Sequence, residues 1–162
     1  IASLMINGDE NAPAVEIRHG FELAGQRFLI LKGVYSELIS RGAICPIPDT
    51  PRHFMGFINQ RGETIPVFSV GRMLDPNCET EERWILLIDQ GERSVGILLA
   101  DYPVGLSAIE AVEDAAPITD PVLRQFCGSA YRHQGNDWNE FDHRRFSSFA
   151  RQSFGNSSVH SP

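Results

Sequence analysis

The sequence predicts a mainly β chain arranged as two related β-rich lobes with short helices. Three observations carry this expectation. Four β-type stretches fold back at a glycine, at Gly25, Gly62, Gly91 and Gly135, where the chain needs the positive φ that a residue without Cβ adopts freely. Each half of the chain then closes on a short helical pattern, the mark of a repeated unit. So many strands also leave many edges, and closing each sheet into a barrel hides them.

The elements follow in chain order. Residues 1–19 are polar and aperiodic and read as a flexible arm. From Phe21, FELAGQRFLIL forms a hairpin about Gly25. In Lys32–Ser40 the apolar Val34, Leu38 and Ile39 stand at helical spacing, with Tyr35 and Glu37 on other faces, so helical turns are expected up to Gly42. Ile44, Cys45 and Ile47 surround Pro46 and Pro48, which suits an edge strand or extended connector because proline cannot donate to a ladder. Thr50 and Pro51 resemble a helix start carrying Phe54 and Met55.

Phe57–Phe68 is the second hairpin, with its polar corner at Arg61–Glu63 and with Pro66 implying an edge or bulge. Ser69 caps a short helix bearing Val70, Met73 and Leu74, ended by Asp75 and Pro76; the acidic stretch to Glu82 is a linker. The third hairpin, Trp84–Ala100 around Asp89–Gly91, has continuous apolar strands that predict burial on both faces, as the core of the second half. Residues 103–122 are loop-rich. A last hairpin surrounds Gly135, and a helix from His143 to Arg151, capped by Asp142, sets Phe146, Phe149 and Ala150 on one face. The expected organisation is therefore an arm over 1–19, one domain over 20–152 and a flexible tail over 153–162.

Composition bounds the function. At 162 residues and 42% apolar content, the chain buries about 70% of its unfolded surface and needs no staples. The net charge is −7, with Lys32 the only lysine among 14 basic residues, which disfavours a nucleic-acid backbone as partner. Ser94–Leu123 holds no basic residue but five acidic ones, Asp101, Glu110, Glu113, Asp114 and Asp120, so one face should be negative. The longest apolar runs fall far short of a bilayer span, so no membrane insertion is expected, and no signal-peptide pattern opens the chain. Cys45, Cys78 and Cys127 are widely spaced, matching neither a disulfide framework nor a zinc knuckle, and point to a reducing compartment.

Arg61 and Glu37 are the pair that stands out. A hairpin-corner Arg and an exposed Glu can meet across a short gap and present planar, directional hydrogen bonding; the plainer alternative is a surface ion pair. Cys45, Asp49 and His53 sit in a Pro-rich connector that fixes no nucleophile against a base. Cys127, His133 and His143 match no compact ligand set, so neither metal nor cofactor is expected. No phosphate-cradling loop, HExxH or GxSxG string occurs. Tyr131 and Trp138 flank the last hairpin as a packing pair.

The string PIPDTPRHFMGFINQRGETIPVFSVGRML, Pro46–Leu74, resembles the most recognisable segment of the CheW-like chemosensory coupling family. Gly56, Asn59, Arg61, Gly62, Pro66 and Val67 match in order its Pro-containing loop, glycine, Asn-x-Arg-Gly strand end and Val-Pro-Val strand. VYSELI looks like the family's Val-x-Glu, with Glu37 at the glutamate, and WILLIDQGERSVGILLADYPVG like the hairpin that opens its second barrel. Ser69 and Val70 depart from the usual Asp-Leu, Asp101 aligns only with an inserted residue, and Pro103 interrupts the following strand. The ending FCGSAYRHQGNDWNEFDHRRF looks more like the type IV pilus adaptors of the family than its flagellar members.

The resemblance implies a fold of two intertwined five-stranded β-barrels and a non-enzymatic bridging role. The partners it implies are the regulatory domain of a CheA-type histidine kinase and the cytoplasmic tip of a transmembrane chemoreceptor. It puts Glu37 and Arg61 in the receptor-facing region, with Gly56, Asn59 and Gly62 shaping the corner that displays Arg61. Ile44, Ile47 and Ile65 would line a kinase-facing apolar groove, beside a strand edge left open by Pro66. The alternatives are a CheW-like regulatory module of a larger signalling protein, or a small β-barrel hydrolase using Cys45 or Cys127.

Overall fold

The computed structural model of the chain describes residues 16–159, with side chains through Gln152 and at Phe154. The expected arm over 1–19 lies outside the described residues up to residue 15; from Ile17 the chain is already a strand. The strands are β1 (Ile17–Leu23), β2 (Gln26–Leu29), β3 (Ser36–Ser40), β4 (Phe54–Gln60), β5 (Glu63–Phe68), β6 (Trp84–Ile88), β7 (Val95–Leu99), β8 (Val104–Ser107), β9 (Glu110–Val112), β10 (Cys127–His133) and β11 (Asn136–Phe141). The helices are α1 (Val70–Leu74), α2 (Pro121–Arg124) and α3 (His143–Val159).

Two sheets result, ordered β8-β1-β2-β11-β10-β9 and β3-β6-β7-β5-β4. They are built alike. In each, two antiparallel hairpins join through one parallel pair, β2 with β11 and β7 with β5, and one antiparallel strand, β8 or β3, flanks the first hairpin. The shared motif has five strands. The sixth strand of the first sheet, β9 on β10, corresponds in the other to a single bridge, Cys45 against Phe57 on β4. One lobe thus comes from residues 36–99, while the other is assembled from both flanks of that segment.

This corrects the reading of Trp84–Ala100 as the core of the second half, because β6 and β7 complete the sheet of β3, β4 and β5. Their expected two-sided burial is found and has a simple cause. Ile85 and Leu87 face their own lobe's interior with Ile65, Val67 and Leu98. Leu86 and Ile88 face the other way, into one core shared by both sheets with Phe21, Phe28, Phe126 and Phe141. Helix α3 seals that core. The fully buried Phe146 ring meets Phe68 of one lobe and Phe126 of the other, edge to face at 5.8 and 5.4 Å. Phe154 reaches Phe54, so the helix continues in register past Arg151 to Val159.

Other local expectations change. Residues 36–40 are the strand β3, not helical turns: paired along β6 and half-buried on both faces, β3 has an apolar pattern without strict alternation. Thr50 and Pro51 start a turn, with the Thr50 hydroxyl donating to the Ile47 carbonyl, and Phe54 already belongs to β4. The loop-rich span 103–122 contains β8 and β9, and Pro103 precedes β8 without interrupting it. Pro66 is on an interior strand. Phe57 opposite it spends its N–H and C=O on Cys45, so the missing Pro66 N–H points toward β7, and pairing with β7 begins only at Val67. Ser69 and Asp142 cap α1 and α3 as read, accepting from Arg72 N–H and Arg145 N–H.

Candidate functional site

The β4–β5 turn places Arg61 and Gly62 at φ +52° and +80°, the two positive values of a tight hairpin turn. An added Cβ on Gly62 would meet open space, so conformation alone selects glycine there. The turn holds Arg61 out into solvent at 64% side-chain exposure, while Glu37, on β3, is 22% exposed. The two meet as a fork. Arg61 Nη1 lies 2.9 Å from Glu37 Oε1, and Nη2 donates to Oε2 at 3.0 Å.

Tyr35 completes the cluster: its hydroxyl donates to Glu37 Oε1 at 2.9 Å and accepts from Arg61 Nη1. The hydrogen bond to Tyr35 first, and the Glu37 charge second, push the Arg61 guanidinium above its already high ordinary value. Water screens this pair, so its contribution to folding is small. Its geometric effect is larger, because β3 and β4 are the end strands of their sheet and the fork ties one rim of the lobe shut.

Below the fork lies a shallow cleft of about 330 Å³ lined by Tyr35, Glu37, Arg61, Glu63, Leu87 and Asp89, among others. Glu63 accepts from Gly91 N–H at 3.2 Å and from the Ser94 hydroxyl at 3.4 Å, fixing the β6–β7 turn against the β4–β5 turn. Asp89 N–H donates to the Tyr35 carbonyl at 2.9 Å, and Asp89 Oδ2 meets the buried His143 Nε2 at 3.0 Å. The Asp89 carboxyl titrates below its usual range: partial burial opposes this, but bonds from Gln90 N–H and His143 outweigh it. The cluster is therefore braced against α3 through one turn.

The remaining candidates fall in different places. Asn59 flanks the corner, its Oδ1 accepting from the Thr64 hydroxyl at 3.1 Å. Gly56 does not shape the corner; it sits at the bulge at the other end of β4, φ +125°, directly under Cys45. Ile65 is not on any surface: at 4% exposure it is in the lobe's own interior cluster, and Ile44 packs half-buried against the same cluster. Of the three isoleucines, only Ile47 is an exposed large hydrophobic, at 41%. The open edge inferred from Pro66 belongs instead to β4, which Cys45 covers only at Phe57.

Chemistry by cysteine gains nothing from the geometry. Burial first pushes the Cys127 thiol above its ordinary value, with Arg124 opposing it weakly, which lowers the thiolate fraction a nucleophile needs. His53 faces the body of the protein, stacked on Phe68 and bonded to the Ala150 carbonyl, whereas Cys45 is exposed on the β4 edge. Among the described residues no group of His, Cys, Asp or Glu could hold a metal ion. Tyr131 and Trp138 stand directly opposite across β10 and β11 and pack inside the lobe, as a cross-strand pair should.

Sequence reasoning missed Tyr35, Glu63 and the Asp89–His143 link. The first carries a signal: Tyr35 and Glu37 are two apart, which puts both on one side of a strand. The others join turns distant in sequence, and no local pattern encodes them.

Comparison with known proteins gives two matches. A family model described as the CheW-like domain matches residues 19–119. Among solved structures, the crystal structure of scaffolding protein TtCheW from Thermoanaerobacter tengcongensis superposes with a TM-score of 0.59 at 17% identity, covering 82% of this chain and 88% of that one. No curated protein matches the sequence.

Proposed function

This chain belongs to the CheW-like domain family, and from that premise we propose that it is a non-enzymatic adaptor coupling a chemoreceptor to a CheA-type histidine kinase. In the finer reading it works in the cytoplasm, recruited to membrane-associated receptor arrays, in type IV pilus (twitching) motility. The observation that best supports an adaptor is the Tyr35–Glu37–Arg61 cluster. Its three side chains are held by mutual hydrogen bonds and two braced turns, yet Arg61 stays exposed. An interface anchor ordered in advance loses little side-chain entropy when a partner docks.

Receptor contact is assigned to Arg61 and Glu37, with Gly62 and Asn59 setting the corner. Kinase contact is assigned to the β4 edge and the connector carrying Ile47, where an open strand edge and an exposed apolar side chain lie together. Occupying both surfaces at once transmits signals by geometry, and effective concentration within an array amplifies weak contacts. Among the described residues no helix is long and apolar enough to cross a membrane; in this reading membrane association comes through the receptor.

Calorimetry against a kinase regulatory domain and a receptor tip, separately and together, tests the reading. Arg61→Glu should weaken receptor binding at least about tenfold, the scale of a lost charge-assisted pair, and leave kinase binding and the urea midpoint unchanged. Ile47→Asp should do the reverse. Equal receptor affinity for wild type and Arg61→Glu would refute the receptor assignment, and failure to bind either partner would refute the adaptor reading.

A further inference from the structure

We propose that a third surface, the cleft between α3 and the β6–β7 turn, binds an extended acidic segment of a partner protein. The cleft measures about 330 Å³ and is lined by Arg93 from the turn and by Arg144, Ser147 and Arg151 from α3, with Asp89 and Glu92 at its turn side. It shares only Asp89 with the cleft below Arg61, and the proposal does not depend on the adaptor reading.

Two observations converge on an anionic occupant. First, among the described residues the guanidinium groups of Arg93, Arg144 and Arg151 make no salt bridge, although the chain carries 21 acidic residues against 14 basic. Of the two acids in the cleft, Asp89 already accepts from His143, and Glu92 is exposed. Second, the first turn of α3 holds His143, Arg144 and Arg145 and no acidic residue. Positive charge there opposes the helix dipole; Asp89 lies 3.0 Å from His143 and Asp142 3.9 Å from Arg145, whereas Arg144 has no carboxylate within salt-bridge distance among the described residues.

Spacing identifies the occupant. Arg144 and Arg151 are seven residues apart, about 10 Å along a helix, too wide for one compact anion to bridge without drawing like charges together. Two carboxylates three residues apart on an extended chain of polyproline II form, with three residues per turn, lie on one side about 9 Å apart, and each can take one guanidinium.

The test is fluorescence anisotropy with a labelled ten-residue peptide bearing Asp at every third position and Gly between. The full chain should bind it saturably. Arg144→Glu combined with Arg151→Glu should weaken binding at least about tenfold, Arg93→Gln on the other wall about threefold, and Arg83→Glu, at the far end of β6 from the turn, not at all. Millimolar inorganic phosphate should displace no more peptide than chloride at equal ionic strength. Unchanged affinity in the double variant, an equal loss with Arg83→Glu, or full displacement by phosphate would each overturn the proposal. So would self-association of the wild type that the double variant abolishes, which would make a second copy the occupant. Circular dichroism of each variant checks folding, and Arg93→Gln lies on a separate element should the helix variant fail to fold.

Discussion

Replacing Gly56 with Ala should detach the connector that carries Ile47. Gly56 stands at φ +125° in the β4 bulge, and a Cβ built there would lie 2.1 Å from the Cys45 carbonyl oxygen and 2.7 Å from its carbon. Both are backbone atoms, so the connector itself must move. A side chain in that region of φ costs about 1–3 kcal/mol. The two hydrogen bonds between Cys45 and Phe57, each 3.0 Å, are lost with the displacement, at about 0.5–1.5 kcal/mol apiece. The sum is about 2–6 kcal/mol, a large share of the roughly 5–15 kcal/mol by which domains are stable, and should lower the Tm by about 5–20 °C for a chain of this size.

Gly62→Ala is the matched control. At φ +80° with open space around the Cβ, it should cost only the conformational penalty of about 1–2 kcal/mol. Urea unfolding compares the two variants, and hydrogen exchange reads the Cys45 and Phe57 amides directly. If Gly56→Ala costs no more than Gly62→Ala while those amides stay protected, steric contact with the connector is not what selects Gly56.

Three further expectations follow from the same packing. Phe146→Ala removes the ring at the centre of the shared core and should cost about 3–5 kcal/mol in urea unfolding. Burial lowers the His53 pKa from the ordinary 6.5, against a hydrogen bond to the Ala150 carbonyl that raises it; the unfolded chain therefore takes up this proton first, and stability should fall as pH drops through 6.5, a slope that His53→Gln flattens in urea midpoints measured from pH 8 to pH 5. Ser69→Asp keeps a cap for α1 but sets a carboxylate against Glu82, which now accepts from the Ser69 hydroxyl at 2.8 Å and whose pKa burial already raises. It should cost about 1–3 kcal/mol, and adding Glu82→Gln should restore most of it.

The Ser69 contact also explains why this chain departs from the aspartate its resemblance suggested at that position. Much else of the fold was legible for equally local reasons. The turns at Ala24–Gly25, Arg61–Gly62 and Gln134–Gly135 each pair two positive φ values, and a glycine in second place signals this in sequence. β3 was misread because its apolar residues pack on both faces of a short end strand, so helical spacing and strand burial look the same over five residues. The lobe boundary was misplaced for another reason. The parallel pairs β2–β11 and β5–β7 decide which hairpins share a sheet, and residues on a hairpin carry no mark of a partner so far along the chain. Ile65 shows the same limit: the proline beside it suggested an open edge, whereas an unlike strand pairs one residue later.

The interlaced order of the strands also sets a timetable for synthesis. Phe28 pairs with Asn139, so the first hairpin waits for 111 further residues before its neighbour exists. At about 5–20 residues per second on a ribosome, that wait is roughly 6–20 s. Meanwhile residues 36–99 hold every strand of their own sheet and can complete it, while β2 stands unpaired on one side with Phe28 and Leu29 uncovered. The nascent chain is most exposed to mispairing in that interval, and a chaperone engaging its early hairpin would act there.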